Sequence, residues 1–213
     1  MTSSTTTPST GAAPAVAPAR ADGRLAGRTL MIGCVLATLG FLGVSLTMHG
    51  SENAWPSDAL WQPMYGVALA GNLLVVLGLP AILAVHGRAF RRLTLVGYVG
   101  IFAGLAMLNV AETTIEAFVK PYLVTHGGLP TEQPAGLNAW GIAALALMLV
   151  GAVCLAVAVF RTRIMPVWVG IAVLLSVAGA LFLPTGPMAF VSDYLVFAAL
   201  FWFGFRAARP AEV

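Results

Sequence analysis

Charge is what this sequence has least of. Only 9% of its 213 residues are Asp, Glu, Lys or Arg, where a soluble domain carries about 25%. Eleven cations against eight anions leave a net charge of +3, too thin a basic surface to track a phosphate backbone, so no nucleic-acid partner is expected. Lysine is nearly missing. Lys120 stands alone beside ten arginines, at the end of a predicted helix, which argues against an intramembrane Schiff base. Cysteine occurs twice; Cys34 and Cys154 read as small buried hydrophobes rather than a disulfide framework. The three histidines, His49, His86 and His126, fall at helix ends or in connections, unsuited to paired axial haem ligands. Catalytic signatures are missing too: there is no H-E-x-x-H, G-x-S-x-G or G-x4-G-K-[ST]. A carboxylate-bridged di-iron site needs Glu-x-x-His, but Ile115 and Val119 stand at those third positions. No cofactor and no resident metal are implied.

Apolar residues fill the space instead. They make up 59% of the chain, and mean hydropathy is +0.91. This is the composition of a polytopic membrane domain with a short polar tail. Eight of the first ten residues are Ser or Thr, followed by Pro8, Pro14 and Pro18 among alanines. Such a stretch buries too little to offset its ordering entropy, so residues 1–24 are expected to be a disordered cytoplasmic tail. The tail lacks the layout of a secretory signal, because Arg20, Arg24 and Arg28 come late and no A-x-A site closes the apolar run behind them.

A helix needs about 20 apolar residues to cross roughly 30 Å of hydrocarbon. Charge-free gaps at 29–51, 59–87, 93–111, 133–160 and 164–192 each hold one crossing. The remaining gap, 194–205, is too short alone. Pro184-Thr185-Gly186-Pro187 breaks the preceding run, and a helix started there takes in Asp193. The expected fold is therefore all-α: six transmembrane helices in a compact bundle near 29–48, 60–83, 93–119, 136–160, 164–183 and 187–206. Residues 25–208 form the membrane domain, and 209–213 a short cytoplasmic end. With the amino terminus inside, ten arginines fall on the cytoplasmic side and only Lys120 outside, as the positive-inside rule demands. Both termini are thus expected in the cytoplasm, and the cell's inner (plasma) membrane is the expected location. Trp55, Trp61 and Trp140 map to the outer interface, Trp168 and Trp202 to the inner. Arg88, Arg91 and Arg92 in an inner loop are expected to touch anionic lipid.

Two repeats compete. Arg28-x4-Gly33-x-Val35-x4-Gly40 recurs as Arg92-x4-Gly97-x-Val99-x4-Gly104, which suits a parallel duplication of helix pairs. Early prolines (Pro63, Pro166) and terminal Leu-Pro pairs (Leu79-Pro80, Leu183-Pro184) in helices two and five suit an inverted repeat instead.

Ionisable groups inside a bilayer are the default functional candidates, because burying them is costly. Glu112 and Glu116 lie four apart on helix three, with Asn109 and Thr113 on the same face. Asp193 lies about 9 Å inside the outer boundary by helical rise. No Lys or Arg falls within any span. Carboxylates so placed either keep a proton or hold a cation. Trp61 and Tyr65, one turn apart, offer cation–π contacts. The acids also have a bland reading, as solvated groups at headgroup level. The motif-poor sequence points first to a non-enzymatic membrane protein, a partner, sensor or accessory subunit. Its alternative is a small proton- or cation-coupled permease component using Asp193 and Glu112. A lipid-modifying enzyme comes last. The partners expected are the lipid bilayer and either a membrane protein or a second copy of this chain.

Overall fold

Helices form wherever the apolar runs are long enough. Residues 17–49, 54–86, 91–129, 135–182 and 190–209 are described by the computed structural model. The first rod is α1 (Ala17–Ser45). The second joins α2 (Trp61–Gly78) to α3 (Pro80–His86). The third joins α4 (Arg91–Leu105), α5 (Ala111–Thr114) and α6 (Lys120–Thr125) through two π-helical segments, Ala106–Val110 and Ile115–Val119. Rods four, five and six are α7 (Ala135–Thr162), α8 (Val167–Phe182) and α9 (Phe190–Ala208). No strand occurs among the described residues. Five helices are long and apolar enough to cross a membrane: Asp22–Ser45, Trp61–His86, Arg92–Thr125, Gly136–Thr162 and Phe190–Ala208. The sixth, Val167–Phe182, is apolar but has 16 residues, about 24 Å of rise. The chain is a helical multi-pass membrane protein.

Several boundaries differ from expectation, each for a local reason. Rod one starts at Ala17, inside the segment expected to be a tail, while 1–16 lie outside the described residues. Leu79-Pro80 does not end rod two. Proline has no N–H for the Val76 carbonyl, and the Leu79 N–H bonds to Val76 O at 3.4 Å instead; the helix then resumes to His86. Rod three runs on to Thr125, six residues past the expected end at 119. The Pro184–Pro187 break lies outside the described residues. The described helices on either side are α8, to Phe182, and α9, from Phe190.

Each rod packs against its neighbours in sequence, and α9 closes the ring against α1. Small residues permit the closest approaches. In α1 and α2, a Cβ on Gly33 would lie 2.5 Å from Val75 N, and one on Gly71 would strike the Ala37 backbone. In α4 and α7, a Cβ on Gly100 would lie 2.6 Å from Gly151 Cα. The repeated glycines therefore do the same job twice: Gly33 and Gly40 seat rod two, while Gly97 and Gly104 seat rod four. Val35 and Val99 are exposed in both copies. This favours the parallel pairing of the two repeats, since one Leu-Pro end of the inverted scheme is mid-rod and the other, Leu183-Pro184, lies outside the described residues.

The antiparallel ring gathers the charges. Arg24, Arg28, Arg92, Arg161, Arg163, Arg206 and Arg209 are exposed at one end, here called the arginine end, and Lys120 marks the other. Trp168 and Trp202 pack edge to face at the arginine end, with centroids 5.6 Å apart. Trp61 departs from the aromatic-belt expectation: it is 2% exposed and belongs to the core.

Candidate functional site

The two π segments mark where rod three stops being an ordinary helix. In each, a backbone carbonyl is taken by a side chain from a neighbouring rod. Trp140 Nε1 donates to Met107 O at 3.0 Å in the first, and Trp61 Nε1 to Glu116 O at 2.9 Å in the second. The hydroxyl of Thr113 donates to Asn109 O, and that of Thr114 to Val110 O at 2.7 Å. Side-chain donors that compete for helix carbonyls loosen the i→i−4 ladder. Pro121 has no N–H for Ala117 O, which loosens the second segment further. Wide turns of this kind are frequent at functional sites.

Beside the first segment lies a cavity of about 260 Å³ to which all six rods contribute. Rod three supplies Leu108, Asn109, Glu112 and Thr113, and rod six supplies Phe190, Ser192 and Asp193. Phe41 and Tyr65 come from the first two rods. Gly141, Leu145 and Met148 come from rod four, and Ser176, Gly179 and Ala180 from rod five. Asp193 is half-buried and Glu112 exposed on the wall. The Asn109 amide donates to Asp193 Oδ1 at 2.7 Å, tying rod three to rod six. Asn72 Nδ2 reaches toward the Asn109 carbonyl at 3.5 Å from rod two. Asp193 also lies in the first turn of α9, where the helix dipole favours negative charge.

Five of the seven singled-out residues thus meet: Asp193, Glu112, Asn109, Thr113 and Tyr65. Glu116 and Trp61 do not. Glu116 Oε1 is paired with Lys120 Nζ, and its backbone carbonyl holds the Trp61 indole. The cation one turn beyond Glu116 thus neutralises it. Glu112 lines the cavity, and Glu116, one turn further on, does not. The Trp61 and Tyr65 rings do touch, tilted, with centroids 4.8 Å apart, but only Tyr65 reaches the cavity. Its aromatic partner there is a pair the sequence did not suggest, Phe41 and Phe190, stacked at 4.9 Å. Nothing in the sequence distinguished those phenylalanines, or Ser176 and Ser192, from other residues of apolar helices.

His49 and Gln62 are exposed away from the cavity wall, and Tyr194 is half-buried and hydrogen-bonded with Ser45. His126 stacks on Tyr122 at 4.1 Å. Among the described residues, no three His, Cys, Asp or Glu side chains gather to hold a metal ion. Arg92 is exposed at the arginine end; Arg88 and the Arg91 side chain lie outside the described residues. Cys34 and Cys154 are free thiols.

This geometry separates Glu116 from the other acids in a measurable way. Lys120→Met is expected to lower thermal stability by about 1 kcal/mol, since Lys120 is half-exposed and such pairs are weak. It should leave the chemistry of the cavity untouched. Melting of the purified protein, with a cavity-labelling measurement beside it, checks both. Comparison of the chain with protein-family models, with curated proteins and with solved structures found no match in any of the three.

Proposed function

We propose that this chain is a small permease-type membrane protein that captures a cationic solute in the cavity at its Lys120 end. Asp193 and Glu112 are the capturing groups. One observation carries this reading: carboxylates from rods three and six converge on a single cavity that all six rods line. Two acids on one wall, with no Lys or Arg among its lining residues, make a negative pocket that attracts cations. The closed arginine half supports a one-sided capture step. There the α1 and α9 backbones touch, with a Cβ on Gly27 falling 2.6 Å from Gly204 O. The π segments beside Asn109 and Glu112 supply a flexible place in rod three for later rearrangement.

In this reading the arginine end lies in the cytoplasm, both termini are inside, and the cavity opens outward from the inner (plasma) membrane. Arg88, Arg91 and Arg92 then meet anionic headgroups. A sensor that binds without translocating is the second reading, favoured by the same one-ended cavity. Cation-driven flux in liposomes separates the two.

The capture step has a direct test. Gly141 lines the cavity, and a Cβ there meets nothing within 4 Å, so Gly141→Cys is expected to fold. In a background with Cys34 and Cys154 replaced by alanine, a membrane-impermeant cationic methanethiosulfonate is added outside intact cells. It should modify the introduced thiol faster than its anionic counterpart does. Equal rates, or no reaction from outside, would overturn the proposal.

A further inference from the structure

We infer that the solute is an organic ammonium ion with a small apolar body, rather than an inorganic cation. This inference rests on the cation-capture reading above and names its substrate class. The cavity lining mixes two kinds of group. Asp193, Glu112 and Asn109 are joined by the hydroxyl residues Tyr65, Thr113, Ser176 and Ser192, while Phe41, Phe190 and Met148 supply aromatic and apolar surface.

A hard inorganic cation fits this arrangement poorly. Calcium takes six to eight oxygen ligands, and magnesium demands a near-ideal octahedron. Here one Asp193 oxygen already accepts the Asn109 amide. The described residues also bring no three ligating acids or imidazoles together. Phe41, Phe190, Leu108, Leu145 and Met148 would face a metal ion's hydration shell with apolar surface. An alkylammonium group needs only one or two acceptors, and its carbon body is favoured by an apolar surface. The stacked Phe41 and Phe190 rings provide that surface, and aromatic faces also attract cations. Size sets the last limit. At about 260 Å³ the cavity lies below the roughly 300 Å³ where drug-sized sites begin, so the body is no larger than a single ring or a short chain.

The ammonium group therefore sits between Asp193 and Glu112, and the carbon body extends toward Phe41 and Phe190. Isothermal titration of the purified full chain tests this with four probes: phenethylammonium, its neutral isostere 2-phenylethanol, potassium chloride and magnesium chloride. Phenethylammonium should bind saturably, and the alcohol roughly tenfold or more weakly for want of a charge-assisted bond. Neither salt should displace the amine beyond the effect of ionic strength. Asp193→Asn should weaken the amine, and Asp193→Asn with Glu112→Gln should bring it down to the affinity of the alcohol. Gly141→Phe, which puts a ring on the cavity lining and keeps both acids in the chain, should abolish binding of both organic probes.

Equal binding of amine and alcohol would overturn the inference, as would displacement of the amine by magnesium at matched ionic strength. So would amine binding that survives Gly141→Phe. If no amine binds while the Gly141→Cys thiol still reacts faster with the external cationic reagent, the ammonium assignment falls and cation capture stands. If that preference is also lost, both fall together.

Discussion

Gly71→Leu is expected to abolish assembly of the bundle, leaving no monodisperse protein after extraction in mild detergent. The Gly71 Cα faces the Ala37 amide and the Leu36 carbonyl carbon of rod one, so even a methyl group meets backbone rather than a side chain that can turn away. Overpacking costs about 1–3 kcal/mol where neighbours can shift, and more where they cannot. Shifting here means parting α1 from α2, which also touch at Gly33, Gly40 and Gly78 along their length. The loss then approaches the roughly 5–15 kcal/mol that holds a typical domain together. Gly71→Ala should already lower stability by about 3 kcal/mol, despite alanine's better helix propensity. Gly66 is the control. A Cβ there meets nothing within 4 Å, so Gly66→Ala should be neutral or gain up to about 1 kcal/mol. Gel filtration and thermal melting read both variants. A Gly71→Leu protein that elutes and melts like the parent would refute the backbone contact.

Asp193→Asn carries the second large effect, and it falls on charge rather than on fold. The Asn109 amide donates to Asp193 Oδ1 at 2.7 Å, and an asparagine carbonyl accepts the same bond. The link between rods three and six survives while the negative charge is lost. At an effective dielectric near 20, unit charges about 6 Å apart interact by roughly 3 kcal/mol, which is about a hundredfold in an equilibrium. Solvent at the open side of the cavity weakens this, so a tenfold fall is the expected floor. The preference of the Gly141→Cys thiol for cationic over anionic reagent should drop by about that factor, with melting unchanged. Asp193→Ala differs in kind. It strands the Asn109 amide, costing about 1–3 kcal/mol, so stability and preference fall together. Adding Glu112→Gln to Asp193→Asn should erase what preference remains. A double variant that still favours the cationic reagent would show that neither acid sets the field of the cavity.

The contrast between Glu112 and Glu116 shows how far residue spacing reaches. Four-residue spacing implies one face only while the helix keeps 3.6 residues per turn. Glu116 and Lys120 keep that spacing and pair, whereas Glu112 lines the cavity and Glu116, whose carbonyl accepts the Trp61 indole, does not. Asp193 was legible for a different reason. The span around it is too short without it, and membrane thickness is a constraint that needs no neighbours. The repeated glycines were visible as text, but their shared role appears only where Gly33 meets Val75 and Gly97 meets Leu155.

Chain composition alone determined that this protein lives in lipid as a set of helices, and charge-free gaps and proline breaks determined about where they lie. Those are consequences of solvent and of local backbone chemistry, which act residue by residue. Only the tertiary structure decided that Asp193 and Glu112 share a cavity, that Glu116 belongs to Lys120, and that Phe41 stacks on Phe190. Such pairings depend on how rods rotate against one another when glycines let their backbones touch, and that rotation is fixed by the whole ring at once.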